Sequence, residues 1–378
     1  MRKIQMVDLQ TQYQHIKAEI DVAWQEVTES CAFINGPAVK RFQENLETYL
    51  GIKHVIPCGN GTDALQVALM ALDLKPGDEV ITTTFTFIAT AEVIALLGLT
   101  PVLVDVYPDT FNINIEAVER AVTPKTKAVI PVHLFGQCAD MERLLHIAQK
   151  HNLHIVEDAC QAIGADYLFS NGSVKKAGTM GIMGCTSFFP SKNLGCYGDG
   201  GAIFTNDDAT AHTLWGIVNH GMFVRYYHDL VGVNSRLDSL QAAVLDIKLK
   251  RLDNYNESRQ RAANYYSAAF ADNPHIQTPI TASFTNHVFH QYTLILNGVD
   301  RDKLVSYMNE KQIPAMIYYP VPLHLQKAYR SERYKAGDFP VSESLSSSVI
   351  SLPMHTELDE EQLKYIAGSL LEGVRFLK

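Results

Sequence analysis

A lysine set between aromatic residues and glycines is the first candidate for chemistry. Residues 186–201 read TSFFPSKNLGCYGDGG, with Lys192 between a short extended aromatic piece (Ser187, Phe188, Phe189) and Gly195, Gly198, Gly200 and Gly201. No helix or strand interior tolerates that glycine density, and Pro190 ends the strand, so the residues after it turn toward whatever lies beyond. A lysine held there is a candidate carbonyl-binding amine. Taken alone, the same letters also describe a solvated surface loop, the usual place for a lysine.

Three other stretches carry groups that would complement such an amine. Cys58-Gly59-Asn60-Gly61-Thr62-Asp63-Ala64 joins a strand to a helix. Backbone N–H groups at that helix start, with the Thr62 hydroxyl, make a phosphate cradle, although a plain turn fits as well. The letters also match a loose dinucleotide fingerprint, GxGxxA, but Asp78 and Glu79 precede the second strand instead of ending it, so a phosphate-only ligand ranks ahead of a nicotinamide. Asp158 follows a strand, with Gln161 one turn further on. A carboxylate at that position is costly unless it meets a cation or a protonated ring nitrogen; its ordinary alternative is a helix cap. Phe85-Thr86-Phe87 offers an aromatic face to cover a flat ring, or simply core packing. A phosphate, a basic ring nitrogen, a carbonyl and a flat ring together describe pyridoxal phosphate. In that reading Lys192 forms an imine with the aldehyde, Asp158 keeps the pyridine nitrogen protonated, and the displaced Lys192 shuttles the proton. A metal centre fits worse, because His151-x-x-His154 and His287-x-x-His290 lack the HExxH spacing and no cysteine pair joins them. Those histidines read as structural or solvated.

The elements that must position these residues follow from the apolar pattern. Residues 1–50 predict a short extended piece (Ile4–Leu9), a helix through Ile16, Ile20, Trp24 and Val27, a turn at Asn35-Gly36-Pro37, and a helix through Val39, Phe42, Leu46 and Leu50. From His54 to Glu157 buried strands alternate with helices, the signature of an α/β domain with a mostly parallel sheet, whose ligands sit at the carboxyl ends of the strands. Beyond Asn206 come a helix near Thr210–Val218, a His/Tyr/Arg-rich loop (His220–Asp229) and a long helix starting near Asp238. Further on lie helices Ser258–Ala269, Arg301–Lys311 and Asp359–Phe376 and strands His290–Leu296 and Ala315–Tyr319. Residues 1–254 are expected to form the large cofactor-binding domain and 255–378 a smaller α+β domain, with residues 1–15 able to pack against the latter. The length, 378 residues, suits that division. A net charge of -9 argues against a generally basic nucleic-acid surface. Six scattered cysteines without a CxxC pair, and no apolar run of membrane length, predict a cytoplasmic protein.

NGTDAL (60–65), FTFIATAEV (85–93), PVHLFGQ (131–137), VEDACQAIGA (156–165), TSFFPSKNLGCYGDGGAIFTND (186–207), GVNSRLDSLQAA (232–243) and YYPVPLHLQ (318–326) occur in this order. In these motifs, and along nearly the whole chain, the sequence resembles the DegT/DnrJ/EryC1/StrS sugar aminotransferases, fold-type I pyridoxal-phosphate enzymes. The resemblance implies that Lys192 is the Schiff-base lysine, Asp158 the ring-nitrogen partner and Gln161 a neighbour of the ring hydroxyl. It further implies that Phe87 stacks on the ring and that Gly61, Thr62 and Ser187 hold the phosphate. Asn234 would complete the phosphate site of a partner subunit and Arg236 would enter it toward a carboxylate, so that a homodimer shares its active sites. Tyr318, which stands where several members have histidine, and His324 of the last motif would meet the substrate. The implied reaction moves the amino group of L-glutamate to a nucleotide-linked keto-sugar. The branch most resembled acts at C3 of UDP-2-acetamido-2-deoxy-3-oxo-glucuronate in O-antigen synthesis; dTDP-linked 3-keto or 4-keto-6-deoxy sugars are the alternative acceptors. Relatives with histidine for the lysine are dehydratases, and Lys192 speaks against that class. A sensor that keeps the cofactor but not the chemistry would need a recognition domain, and the sequence has no helix-turn-helix pattern ahead of the α/β part.

Overall fold

The computed structural model describes residues 2–378. Helix α1 (Leu9–Ser30) starts at Asp8, whose carboxylate accepts from the Thr11 N–H at 2.9 Å, and α2 (Pro37–Leu50) starts with a proline whose missing N–H costs nothing there. The expected extended piece 4–9 forms no strand, and Leu9 already belongs to α1.

From His54 the chain alternates as its apolar pattern requires: β1 (His54–Cys58), α3 (Gly61–Ala71), β2 (Glu79–Thr83), α4 (Ala89–Leu96), β3 (Thr100–Val104), α5 (Ile115–Ala121), β4 (Thr126–Ile130), α6 (Met141–His151) and β5 (His154–Asp158). A hairpin, β6 (Asp166–Leu168) and β7 (Val174–Lys176), precedes β8 (Met183–Ser187), β9 (Gly201–Thr205) and α7 (Asp208–Val218). One seven-stranded sheet results, in the order β1-β9-β8-β5-β4-β2-β3. Only β9 runs against the others. Alternate residues point to opposite faces. Val80, Ala128 and Val156 therefore pack with α3, α4 and α7, while Ile81, Val129 and Ile155 pack with α5 and α6. The strand expected over 187–189 ends at Ser187, and Phe188 instead buries its ring against Phe42 of α2.

A second hairpin, β10 (Met222–Val224) and β11 (Tyr227–His228), occupies the loop expected at 220–229. The single helix expected from Asp238 is two, α8 (Ser239–Leu249) and α9 (Leu252–Phe270), parted at Lys250–Arg251; the helix expected over 258–269 lies inside α9. The remainder contains β12 (Ile276–Gln277), β13 (Tyr292–Leu296), α10 (Arg301–Glu310), α11 (Pro340–Ser348), β14 (Val349–Leu352) and α12 (Glu360–Leu377), with the three strands antiparallel. Residues 315–319 are not a strand; only Met316 bridges, to Ser351. A separate apolar core gathers Tyr266, Leu294, Leu304, Ile350 and Ile366, and Ile4 from the other end of the chain joins it.

Candidate active site

A cavity of about 610 Å³ opens at the carboxyl ends of the parallel strands. Asn60 follows β1, Phe87 follows β2, Asp158 ends β5 and Ser187 ends β8, and all four line it.

The start of α3 is shaped to receive an anion. The Asn60 side chain caps the helix by accepting from the Asp63 N–H at 2.8 Å, while the N–H groups of Gly61 and Thr62 have no acceptor among the described residues. A Cβ on Gly61 would stand 2.7 Å from Ser187 Cβ and 3.0 Å from Cys160 Sγ, so only glycine lets the helix start approach the end of β8. Ser187 Oγ accepts from the Phe189 N–H at 3.2 Å, and its own hydrogen is left to donate. Ser235 ties this corner to the segment that carries Asn234 and Arg236: its Oγ accepts from the Gly59 N–H at 2.8 Å and donates to Asp63 at 2.7 Å.

Asp158 is buried, and its two oxygens accept from the Thr90 hydroxyl at 2.8 Å and the Cys160 N–H at 3.2 Å. No cation of the chain pairs with it among the described residues, which leaves the carboxylate to a cationic ligand group. The preceding residue, Glu157, is fully buried and faces the other way, accepting from the N–H groups of Gly178, Met180 and Gly181 and from His133 Nε2. Gln161 accepts from the Phe135 N–H at 2.9 Å and donates to the Tyr319 hydroxyl at 3.2 Å.

Lys192 reaches the cavity from the loop after β8 with no hydrogen bond to its amine among the described residues. Burial lowers its pKa below the ordinary lysine range, and the Cys160 thiol and the Asp158 carboxylate pull part of that shift back. The nearby glycines serve the chain's own close approaches: a Cβ on Gly195 would lie 2.3 Å from Pro190 O, and one on Gly201 2.4 Å from Asn60 O. Phe87 stands 55 % exposed at the cavity, its ring 6.4 Å from that of Tyr319. Tyr318 also lines it.

Other expected residues lie elsewhere. Asn234 is exposed and Arg236 half-buried, and neither lines the cavity of its own chain. His324 requires a correction: it is 1 % exposed, with Thr84 at 2.9 Å from Nδ1 and Glu343 at 3.0 Å from Nε2, so neither ring nitrogen is left for a ligand.

His290, whose spacing reads as structural or solvated, lines the cavity. It is 7 % exposed, its Nδ1 has no partner among the described residues, and burial, then Lys192 and Arg259, hold its pKa well below the usual imidazole range. His287, three residues earlier, does not share the site and stacks on Phe289 at 3.8 Å. Sequence reasoning also misses Tyr319, Cys160 and Thr90 as residues of the site. The sole sequence signal for Tyr319 is its place in the motif at 318–326, and for Thr90 and Cys160 their places in the motifs at 85–93 and 156–165. No cluster of three or more His, Cys, Asp or Glu side chains able to hold a metal occurs among the described residues.

Two free helix-start N–H groups, a buried carboxylate without a cation, an accessible amine and an exposed aromatic face fit pyridoxal phosphate at its phosphate, ring nitrogen, aldehyde and ring. Residues 14–371 match the model of the DegT/DnrJ/EryC1/StrS aminotransferase family. A pleiotropic regulatory protein of Geobacillus stearothermophilus is 47% identical over 98% of this chain and 99% of its own length. The UDP-2-acetamido-2-deoxy-3-oxo-D-glucuronate aminotransferase of Pseudomonas aeruginosa is 43% identical over 97% of this chain and 99% of its own. Among solved structures, NtdA of Bacillus subtilis with bound cofactor PMP superposes with a TM-score of 0.87 at 32% identity, over 95% of this chain and 82% of that one. The chain belongs to the DegT/DnrJ/EryC1/StrS family of fold-type I, pyridoxal-phosphate-dependent sugar aminotransferases.

Proposed function

We propose that this aminotransferase takes its amino group from L-glutamate and delivers it to C3 of UDP-2-acetamido-2-deoxy-3-oxo-glucuronate, in the cytoplasm, for surface polysaccharide synthesis. The observation that carries the reading is the pairing of an unbonded Lys192 amine with a buried, cation-free Asp158 in one cavity; the likeness to the Pseudomonas aeruginosa enzyme supports the acceptor. Six unpaired cysteines suit a reducing compartment.

Bound pyridoxal phosphate supplies an aldehyde and an electron-withdrawing ring. The N–H groups of Gly61 and Thr62, with the Thr62 and Ser187 hydroxyls, would hold its phosphate, and Asp158 would hold a proton on its ring nitrogen. Phe87 would cover one ring face, and Gln161, fixed by Phe135 and Tyr319, would orient the ring edge. Lys192, its pKa lowered by burial, has its lone pair free at a lower pH than a surface lysine, so Nζ can attack a carbonyl and later move a proton within the substrate. Residues 1–254 carry these groups, and 255–378 close the cavity with His290, Tyr318 and Tyr319.

The functional unit is a homodimer with shared sites. Phe223, Val224, Tyr226, Tyr227, Leu230 and Val231 are exposed around the second hairpin, an apolar surface that a second subunit would cover. Asn234 and Arg236 follow directly in the sequence and would enter the partner's cavity, where Arg236 would meet the carboxylate of glutamate or of the sugar. The test is the near-ultraviolet and visible spectrum of the holoenzyme. L-glutamate should convert the lysine-bound band to that of the amine form, and the UDP-linked keto-uronate should restore it. A response to glutamate that only dTDP-linked keto-sugars reverse would replace the acceptor, and no response to glutamate would replace the donor.

A further inference from the structure

Lys248 lies on α8, outside the cavity, and is 1 % exposed. Its Nζ donates to Gly195 O at 2.8 Å and stands 4.5 Å from the centre of the Tyr197 ring. No carboxylate pairs with it among the described residues, and burial lowers its pKa to about 8. An ammonium buried without a counter-ion is unfavourable, so its one strong contact calls for a reason.

That contact is the base of the loop that carries Lys192. Gly195 meets Pro190 so closely that no side chain fits between them. Across the base of this loop, the Lys192 N–H donates to Phe189 O at 2.8 Å and the Cys196 N–H to Phe188 O at 2.8 Å. Lys192 therefore projects from a small closed loop whose last residue, Gly195, is held through its carbonyl by Lys248. About two turns earlier on α8, Gln241 accepts from the Tyr197 N–H at 2.8 Å and holds the next part of the same segment. Asn193 is fixed separately, donating to Asn256 at 2.7 Å and to Val288 O at 2.9 Å.

We propose that Lys248 is a positioning residue for Lys192: by holding the Gly195 carbonyl it sets where the Lys192 amine stands relative to Asp158. The inference rests on the assignment of Lys192 as the cofactor-bearing lysine. Lys248→Met tests it in the holoenzyme, since methionine keeps the apolar stem and removes the donor and the charge. The variant should still bind pyridoxal phosphate, but the lysine-bound band should form about tenfold more slowly on mixing and titrate at a pH shifted by roughly half a unit. An unchanged formation rate and an unchanged midpoint, with only a lower melting temperature, would reduce Lys248 to packing and overturn the proposal. Should the methionine variant fail to fold, Lys248→Gln, a shorter side chain without the charge, is measured in the same way: a slower rate and a shifted midpoint support the positioning role, and unchanged values overturn it. Borohydride reduction of the unsubstituted holoenzyme, followed by peptide mapping, separates the two assignments. Cofactor fixed to another lysine overturns both, whereas cofactor on Lys192 with unaltered Lys248 variants overturns this one alone.

Discussion

Glu157→Gln removes one oxygen from the most completely satisfied carboxylate beside the site. Its Oε2 accepts from His133 Nε2 and the Gly178 N–H, both at 2.8 Å, and its Oε1 from the N–H groups of Met180 and Gly181, both at 2.6 Å. His133 Nδ1 accepts from the Ala139 N–H at 3.1 Å, so Nε2 carries the hydrogen and all four groups around the carboxylate are donors. Glutamine offers one oxygen and one NH2, so either orientation keeps two bonds and sets a donor against the other two. Hydrogen bonds to a charged acceptor contribute about 1.5–3 kcal/mol each, so two lost bonds cost roughly 3–6 kcal/mol. Relief from burying the charge offsets part of this, and a net loss of about 3 kcal/mol is expected. The assay is reversible urea unfolding followed by far-ultraviolet circular dichroism at pH 7, with cofactor affinity measured in parallel because Asp158 is the next residue. A loss below about 1 kcal/mol would refute the reasoning, since it would mean that the four donors find other partners without strain.

Lys192→Ala should abolish turnover while leaving the circular dichroism spectrum unchanged, because the side chain reaches into a cavity and not into the packed cores; measurable steady-state turnover would contradict its assigned role. Gly61→Ala should weaken pyridoxal phosphate binding by about tenfold or more in a fluorescence titration, since the added methyl meets Ser187 and Cys160 at 2.7 and 3.0 Å. Burial lowers the pKa of His287 to about 3 and of His355 to about 4, so above the unfolded value near 6.5 neither affects stability. As pH falls below that value the unfolded chain takes up protons that the folded chain refuses, and stability should drop by roughly 3 kcal/mol per pH unit for the pair until their folded values are reached. His287→Phe, which keeps the stack on Phe289, should make the fall in urea midpoint between about pH 6 and 4.5 shallower by about one proton's worth. His290→Phe should raise the KM of the keto-sugar more than it lowers the rate of cofactor binding; equal effects on both would assign His290 to packing.

Much of this arrangement is readable from residues alone. The alternation of apolar strands with helices between His54 and Glu157 points to the parallel core, and residues just past strand ends then become the natural place to look, which is how Asp158 emerges; Ser187 is marked only by the family resemblance, because the aromatic residues after it read as a continuing strand. What escapes is long-range. Nothing local announces that β9 runs backward beside β1, or that Ala315–Tyr319, extended and apolar, finds one bridge and no ladder. The interruption at Lys250–Arg251 is equally silent, because both residues suit a helix. Spacing tests His290 only as a metal ligand, whereas its position depends on β13 and the loop before it folding back over the sheet. His324 shows the reverse: it sits in a motif shared with the family, yet Thr84 and Glu343 occupy both of its nitrogens. The roles expected of Asn234 and Arg236 lie across a subunit boundary, which the pattern of a single chain does not encode.

Helix α9 has a mechanical consequence. Near its start Asn256 holds Asn193, the residue after Lys192; one turn on, Arg259 donates to the carbonyls of Phe289, His290 and Met354; further along, Tyr266 is rooted in the second apolar core. A continuous helix of 19 residues is a stiff rod roughly 28 Å long. That rod is tied to the lysine loop near its start and to the second core further along. A substitution that shifts α9 would therefore displace the Asn193 corner of the lysine loop and the C-terminal core together.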